Sequence, residues 1–455
     1  MARGPVSFLA RVVRQPGRRR IAANTAWLFI DKAVCVVVGL SVGVWVARYL
    51  KPTSFGLLNY ALAVVHFFVP ITGLGLKNIV VRNLVRAPET RDEVIGTTLV
   101  LRLGVSLCVV LGLGISFACG LGPGNGMVRW LIVIVSGQLV FNALGEPVGF
   151  WFESQLQSKY TVWARDVSVV LAGLLKVGLI LVGASLLAFA VATTLQTLVF
   201  AVALIVFWRL VGNRFFGLRG SIKCAKRMLS DSWPLIFSAL AVVTYMRIDQ
   251  VMLGHLAGAE ALGTYSVAVR LSELWYFIPM AIAQSLFPAI VRSREIHSEE
   301  GYHHRIQAFF DLMSAVAYVI VVPLSLIAVP LVSVLFGAEY AEAGPVLRVH
   351  IWAFVFVSLG AARSRWLTTE GIIRFQLFST LLGAGINVVL NIFLIPRYVG
   401  LGAAWATLIS YGLAAYISSV CYGPVRSVFK KLTLALLVPF RPVSLWRSFA
   451  DGFHS

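Results

Sequence analysis

Acidic residues are scarce in this sequence. Asp and Glu number 19 against 39 Lys and Arg, and charged residues of both signs fill only 13% of the 455 positions, where a soluble domain carries about 25%. With 59% hydrophobic residues, such a chain cannot hide its apolar surface in one water-soluble core, and lipid must be much of its solvent. Cysteines are few as well. Cys35, Cys108, Cys119, Cys224 and Cys421 are odd in number, scattered and without a CxxC, which argues against a disulfide framework and against zinc. The motifs of soluble chemistry are missing: there is no GxxxxGK[ST] phosphate loop, no HExxH and no GxSxG. The expectation is a chain that is not an enzyme, with no catalytic residue, no metal and no cofactor. Residues 1–20 are Arg-rich with only short apolar pieces, so they do not read as a cleaved signal peptide.

What the chain has instead is long apolar runs. A spanning helix needs about 20 mostly apolar residues, and runs of that kind occur near 25–47, 57–79, 95–118, 128–149, 162–183, 186–208, 233–255, 262–286, 308–336, 346–367, 373–395 and 401–423. They do not alternate with the period of two that barrel strands require. The fold class is therefore an all-α integral membrane protein of about twelve transmembrane helices. Lys and Arg fall unevenly between the runs. The first tail, the later even-numbered connections and the last tail hold 29 of them, Arg363 included, and the opposite face holds Arg48, Lys51, Arg129 and Arg397. By the positive-inside rule both termini face the cytoplasm, in an inner, cytoplasmic membrane. The net charge of +20 thus reflects topology and acidic lipid head groups, and nucleic acid is not expected as a partner.

The connections on the sparse side are short, so no folded domain is expected there. The longest internal connection is basic and contains glycine, which divides the chain into a basic tail (1–23), a six-helix bundle (24–211), a cytoplasmic linker (212–232), a second six-helix bundle (233–424) and a cytoplasmic or interfacial tail (425–455). The halves echo one another. Phe55-Gly56-Leu57-Leu58-Asn59-Tyr60-Ala61 opens the second run and Leu262-Gly263-Thr264-Tyr265-Ser266-Val267-Ala268 the eighth; Val191-Ala192-Thr193 is matched by Trp405-Ala406-Thr407. Six spans per half give both repeats the same orientation, related by a pseudo-two-fold axis along the membrane normal.

Charge at membrane depth costs at least a few kcal/mol, so each embedded ionisable residue should face protein, a partner or water. Asp31 and Lys32 fall in the first run, Arg102 in the third, Glu146 in the fourth, Lys176 in the fifth, Arg247 and Asp249 in the seventh, Arg270 and Glu273 in the eighth. Arg102 and Glu146 read as internal ion pairs or snorkelling chains. Arg247, Asp249, Arg270 and Glu273 could neutralise one another. Lys176 has no acid near it in sequence and lies deep, which makes it a cavity candidate. As a set these residues lean cationic, and a cavity of that sign would lower the cost of moving an anion, phosphates and acidic sugars above all. Asn387 and Asn391, and Gln138 and Asn142, stand at i,i+4 and suit hydrogen bonds between helices. Pro70, Pro279, Pro323 and Pro330 predict kinks.

Several strings resemble one family. Ala47-Arg48-Tyr49-Leu50-Lys51-Pro52 followed by Phe55-Gly56-Leu57-Leu58 resembles the ARYLGP…FG…L pattern of the Wzx-type oligosaccharide flippases, in the MATE-like multidrug/oligosaccharidyl-lipid/polysaccharide superfamily. Arg247-Ile248-Asp249 through Gly254, with Leu262-Gly263-Thr264-Tyr265-Ser266-Val267-Ala268, resembles its R-x-D-x-x-x-[LI]…[LV]G-x-Y-[SA]-x-A signature. Leu335-Phe336-Gly337 with Tyr340, and Asn387 through Pro396 with Gly402-Ala403-Ala404-Trp405-Ala406-Thr407, are similar to two later segments. Two departures fall in outer connections: Lys51 stands where Gly is usual, and Tyr398-Val399-Gly400 where Tyr-Gly is usual.

The resemblance implies a flippase that turns polyprenyl-pyrophosphate-linked oligosaccharide from the inner to the outer leaflet by alternating access, for lipopolysaccharide or exopolysaccharide assembly. It also implies a cavity between the halves. Lys32, Arg48, Arg247 and Arg270 would line it, joined by Lys176 on its depth, with Asp31, Asp249 and Glu273 as charge partners or coupling acids. H+, Na+ and the membrane potential all stay open as the drive. A monomer is expected, working beside a polysaccharide polymerase and chain-length machinery. A cation-coupled multidrug exporter of the same superfamily is the alternative, and a membrane glycan polymerase or ligase a more distant one.

Overall fold

The computed structural model describes residues 16–213, 217–296 and 298–441, with side chains from Val34 onward except at 289, 295 and 296. The described chain is helical, without a strand. Its first seven helices are α1 (Pro16–His66), α2 (Val69–Gly73), α3 (Lys77–Arg86), α4 (Arg91–Ala118), α5 (Gly126–Ser154), α6 (Ser158–Leu181) and α7 (Leu186–Leu210). There follow α8 (Ile222–Leu256), α9 (Gly258–Glu273), α10 (Phe277–Ile296), α11 (Glu299–Phe336), α12 (Ala343–His350), α13 (Ala353–Thr369), α14 (Ile373–Ala415) and α15 (Arg426–Leu436).

Nine helical stretches among the described residues are long and apolar enough to cross a membrane, and the chain is a multi-pass membrane protein. Two of them, Val34–Arg86 and Ile373–Val420, run 53 and 48 residues. At 1.5 Å per residue that is about 80 and 72 Å, enough to cross a hydrocarbon layer of about 30 Å twice. Each long helix bends where a sequence run ends: α1 at Lys51 (φ 61°, ψ 168°) and α14 at Val399 (φ 51°, ψ −127°). α6 carries Lys159, Arg165, Asp166 and Lys176 and lies outside the nine. The second run expected from the sequence is not one helix. It breaks after His66 and restarts at Val69 with Pro70 in its first turn, where a missing N–H costs nothing. Pro279 likewise sits in the first turn of α10, whereas Pro323 and Pro330 lie inside the continuous α11.

The chain forms two compact units. The first comprises residues 1–50 and 61–240 and the second residues 51–60 and 241–455, so α8 is divided between them at Leu240 and Ala241. In the first unit α5 packs against α4 and α7, and α6 against α7. Its core is aromatic: Trp151 meets Trp208 edge-on at 4.9 Å, with Phe150, Phe152, Leu204 and Met228 around them. Met228 belongs to the stretch expected as a linker. That stretch is helical from Ile222, and Met228 and Ser232 are fully buried. Arg102 of α4 is buried and pairs with Glu146 of α5 at 2.5 Å, donates to the Thr72 carbonyl and lies over the Phe150 ring. This is the internal ion pair that the sequence suggested.

In the second unit α11 packs on α10, α12, α13 and α15, while α14 packs on α12 and α13. Residues 51–60 of α1 lie across α9 at an unusually close crossing. A Cβ on Gly56 would fall 1.7 Å from the Ala259 oxygen, and one on Gly263 would fall 1.9 Å from the Pro52 oxygen. Phe55 meets Tyr340 edge-on, and Lys51 pairs with Glu339 at 3.1 Å beside this crossing. At Gly39, by contrast, an added Cβ would meet nothing within 4 Å.

Candidate functional site

The second unit gathers polar side chains at membrane depth. Arg247 is on α8 and Glu273 ends α9; their side chains meet at 2.9 Å and stay 27% and 19% accessible. Two residues further along α8, Asp249 is buried. Its carboxylate accepts from the Tyr265 hydroxyl, from the Gln250 N–H at 2.7 Å and from the Thr407 hydroxyl at 3.3 Å. Every donor to Asp249 is neutral, while the guanidinium goes to Glu273. Two positions of α8 therefore meet two different carboxylate environments. The pair at Arg247 is open enough to be competed for. Asp249 is closed and held by hydrogen bonds, as a buried charge must be.

Around them lies a shell that hydropathy does not reveal. Tyr245 stacks on Tyr411 at 4.2 Å and Tyr276 on Phe354 at 5.8 Å. His350 is buried, shares a 2.9 Å hydrogen bond with the Ser272 hydroxyl and meets the Tyr265 ring edge-on. On α14, Asn391 donates to Asn387 at 2.9 Å and Asn387 to Ser410 at 3.1 Å, the inter-helix role expected of the two amides. The Asn391 carbonyl oxygen has no hydrogen-bond partner among the described residues. Tyr265 could have been found from its place in the Leu262-Gly263-Thr264-Tyr265 string that carries the family resemblance. His350 is a single histidine in an apolar run, and no local signal distinguishes it.

The other candidates are dispersed. Arg48 and Arg270 are exposed and Lys176 is half-buried; Arg48 and Lys176 lie in the first unit and Arg270 in the second. Asp31 and Lys32 lie on α1, with side chains outside the described residues. Glu273 turns to Arg247 rather than to Arg270 three residues before it on its own helix. Within the second unit the four candidates balance, two cations against two acids, so the cationic lean of the sequence set does not come from them.

Arg363 needs correcting. The sequence placed it among the cations of a cytoplasmic connection. It is instead buried inside α13, where it donates to the hydroxyls of Ser379, Ser418 and Ser419 and lies 5.5 Å from the Phe375 ring centre. A guanidinium held only by hydroxyls and a ring face ties the turn after α14 to the base of α13. No metal-ligating group of three His, Cys, Asp or Glu occurs among the described residues.

Comparison with known proteins adds the family. The profile described as "Polysaccharide biosynthesis protein" matches residues 21–294, and the one described as "MatE" matches residues 234–393. The "Probable flippase AglR" of Haloferax volcanii is 29% identical over 187 residues, 39% of this chain and 37% of that one. The "Succinoglycan biosynthesis transport protein ExoT" of Rhizobium meliloti is 26% identical over 338 residues, 72% of this chain and 65% of that one. These matches thus span between about a third and two thirds of the relatives' own length. The solved structure "Lipid II flippase MurJ, inward closed conformation" superposes with a TM-score of 0.71 at 13% identity, over 95% of this chain and 96% of that one. The fold is that of this solved structure.

Proposed function

The chain belongs to the polysaccharide biosynthesis protein family, and on that premise we propose that it is a flippase. It turns polyprenyl-pyrophosphate-linked oligosaccharide from the inner to the outer leaflet of the cytoplasmic membrane by alternating access. The observation that carries the proposal is the half-open Arg247–Glu273 pair at membrane depth. A guanidinium fork matches phosphate oxygens, and an incoming pyrophosphate can compete with the Glu273 carboxylate for it. Arg270, in the same unit, is a second candidate to meet the anion. Asp249, enclosed by neutral donors, is the coupling acid, with H+, Na+ or the membrane potential as the drive. Both termini lie in the cytoplasm, as the 28 Lys and Arg that remain on one side of the spans without Arg363 support. The protein works as a monomer beside a polymerase and chain-length machinery.

The test is export. Arg247→Ala and Arg247→Lys are expressed at matched levels in a strain lacking the chromosomal copy, and surface glycan and lipid-linked oligosaccharide are measured. Arg247→Ala is expected to lose most surface glycan and accumulate the lipid-linked precursor inside; Arg247→Lys, a point charge without the fork, is expected to fall between. Normal export from Arg247→Ala refutes the pyrophosphate role. One observation favours a second reading, a cation-coupled multidrug exporter: Asp249, Glu273 and the stacked Tyr245 and Tyr411 make an acidic, aromatic setting suited to organic cations. Under that reading the deletion strain accumulates no lipid-linked precursor and becomes sensitive to cationic dyes.

A further inference from the structure

The C-terminal helix α15 has two unlike faces. Val425, Val428, Leu432, Ala435 and Val438 recur at helical spacing and are all 5% accessible or less. That face lies on α11. The Lys431 ammonium donates to the His303 carbonyl at 3.2 Å, the Gln307 amide to the Lys431 carbonyl at 3.1 Å, and the Tyr318 hydroxyl to the Leu436 carbonyl at 3.0 Å. Tyr416 closes the start of α15, stacked on Phe429 and bonded to Thr433 at 2.8 Å.

These contacts set the depth of α15. The first turns of α11 carry Glu299, Glu300, His303, His304, Arg305 and Asp311, and from Leu312 to Phe336 the helix has no charge. The edge of the hydrocarbon therefore falls near Gln307 and Asp311. Tyr318 is seven residues beyond Asp311, about 10 Å deeper along the helix. Lys431 thus sits at the edge, and Leu436 on the apolar side of it.

The opposite face of α15 is open, and its chemistry is graded in the same direction. Arg426 and Lys430 are exposed at the shallow end. Leu434 and Leu437, beside Leu436, are exposed at the deep end; Phe440, 83% accessible, follows in the turn before Arg441. No acid occurs between Cys421 and Arg441 to neutralise the cations. Cations above and bare apolar side chains below follow the order of a phospholipid, phosphate first and acyl chain beneath it.

We propose that the outer face of α15 is a docking site for an anionic phospholipid of the leaflet on the Lys/Arg-rich side. Arg426 and Lys430 hold the head-group phosphate, and Leu434 and Leu437 lie along the acyl chains. The site does not depend on the transported substrate.

A photocrosslinking amino acid in place of Leu437, in the full chain in its native membrane, tests the occupant. The expected adduct, identified by mass spectrometry, is a phospholipid, with phosphatidylglycerol enriched over zwitterionic lipid. The doubly substituted Arg426→Gln/Lys430→Gln chain should keep the adduct yield and lose that enrichment by about 25-fold, since each surface cation near an anionic membrane contributes about a factor of five. Both residues are exposed, so the packing of α15 on α11 is untouched; size-exclusion of the variant against the parent confirms the fold. Crosslinks to a second copy of this chain, to another protein or to the lipid-linked glycan overturn the proposal. So does the absence of any adduct, or enrichment that survives in the double variant.

Discussion

Gly56 and Gly263 meet at the closest helix crossing in the second unit, and a single methyl group tests how much depends on it. A Cβ on Gly56 would lie 1.7 Å from the Ala259 oxygen, 2.7 Å from its carbonyl carbon and 2.8 Å from the Gly263 nitrogen. Ordinary contact begins at about twice the shortest of these, and all three atoms are backbone, so no side chain can swing aside. The segments must separate, which also loosens the Phe55–Tyr340 contact. Overpacking of this kind costs about 1–3 kcal/mol where side chains can adjust; here the upper end applies. The higher helix propensity of Ala returns about 1 kcal/mol, leaving Gly56→Ala about 2 kcal/mol less stable. Gly263→Ala should behave alike, its Cβ falling 1.9 Å from the Pro52 oxygen. Because both act on one crossing, the double variant should cost less than the sum. Thermal unfolding of the purified protein in detergent, followed by size-exclusion, is the assay, with Gly104→Ala as control, since a Cβ there meets nothing within 4 Å. A Gly56→Ala protein as stable as the Gly104→Ala control refutes the close crossing.

Three further outcomes follow from other contacts. Arg102 is buried while Glu146 is partly open, so Glu146→Gln, which strands the buried cation, should destabilise by about 3 kcal/mol and Arg102→Met by less, with Arg102→Met/Glu146→Leu recovering most of the loss in the same thermal assay. At the water-side link between α10 and α11, Arg294 bonds Glu299 at 2.7 Å and holds its carboxyl below the usual carboxylate range. A lowered carboxylate favours the folded link above its unfolded value and loses that advantage as pH falls through the lowered one, so amide exchange around residues 298–303 should quicken only below about pH 4, and Glu299→Gln should remove that step; a step of equal size in the variant would discount the pair. Val399 has φ 51° and ψ −127°, a setting that strains a β-branched residue, and Val399→Gly should raise the unfolding temperature.

Hydropathy and charge count are local, and what depends on them was legible: the helical class, the long apolar runs and the embedded ionisable residues. Partners are not local. Arg363 lies near the end of an apolar run, where a cation usually reaches water. Its burial depends on Ser379, Ser418 and Ser419, 16 to 56 residues away, and no window over the sequence contains them. The same limit hid the choice Glu273 makes between Arg270, one turn back, and Arg247, 26 residues back. It also hid the helix in residues 222–232, because a basic, glycine-flanked stretch reads as a linker until Met228 is seen inside an aromatic core. The acid at Asp249 was legible as a charge, but its hydroxyl donors Tyr265 and Thr407 come from α9 and α14.

The internal repeat was legible as an echo of letters, and its geometry supplies a reason. Gly56 approaches Ala259 and Gly263 approaches Pro52, each partner four residues before the other glycine, so the contact is reciprocal. Extending the register one residue further back pairs Lys51 with Gly258. Both have left-handed backbone, φ 61° and φ 89°, which suits glycine and strains a lysine. The first repeat thus holds strain that the second avoids. Lys51→Gly and Lys51→Ala both remove the exposed ion pair to Glu339, and only the glycine relieves the backbone. Relief of about 1–3 kcal/mol, less about 0.5–1 kcal/mol for the freer unfolded chain, should leave Lys51→Gly about 1 kcal/mol more stable than Lys51→Ala. The mirror substitution, Gly258→Ala, adds a Cβ that meets nothing within 4 Å, so its cost is purely backbone and should be of similar size and opposite sign. Equal stabilities for Lys51→Gly and Lys51→Ala, or an Ala at 258 without cost, would mean that the bends at these two positions carry no strain and that the repeat is only a resemblance of letters.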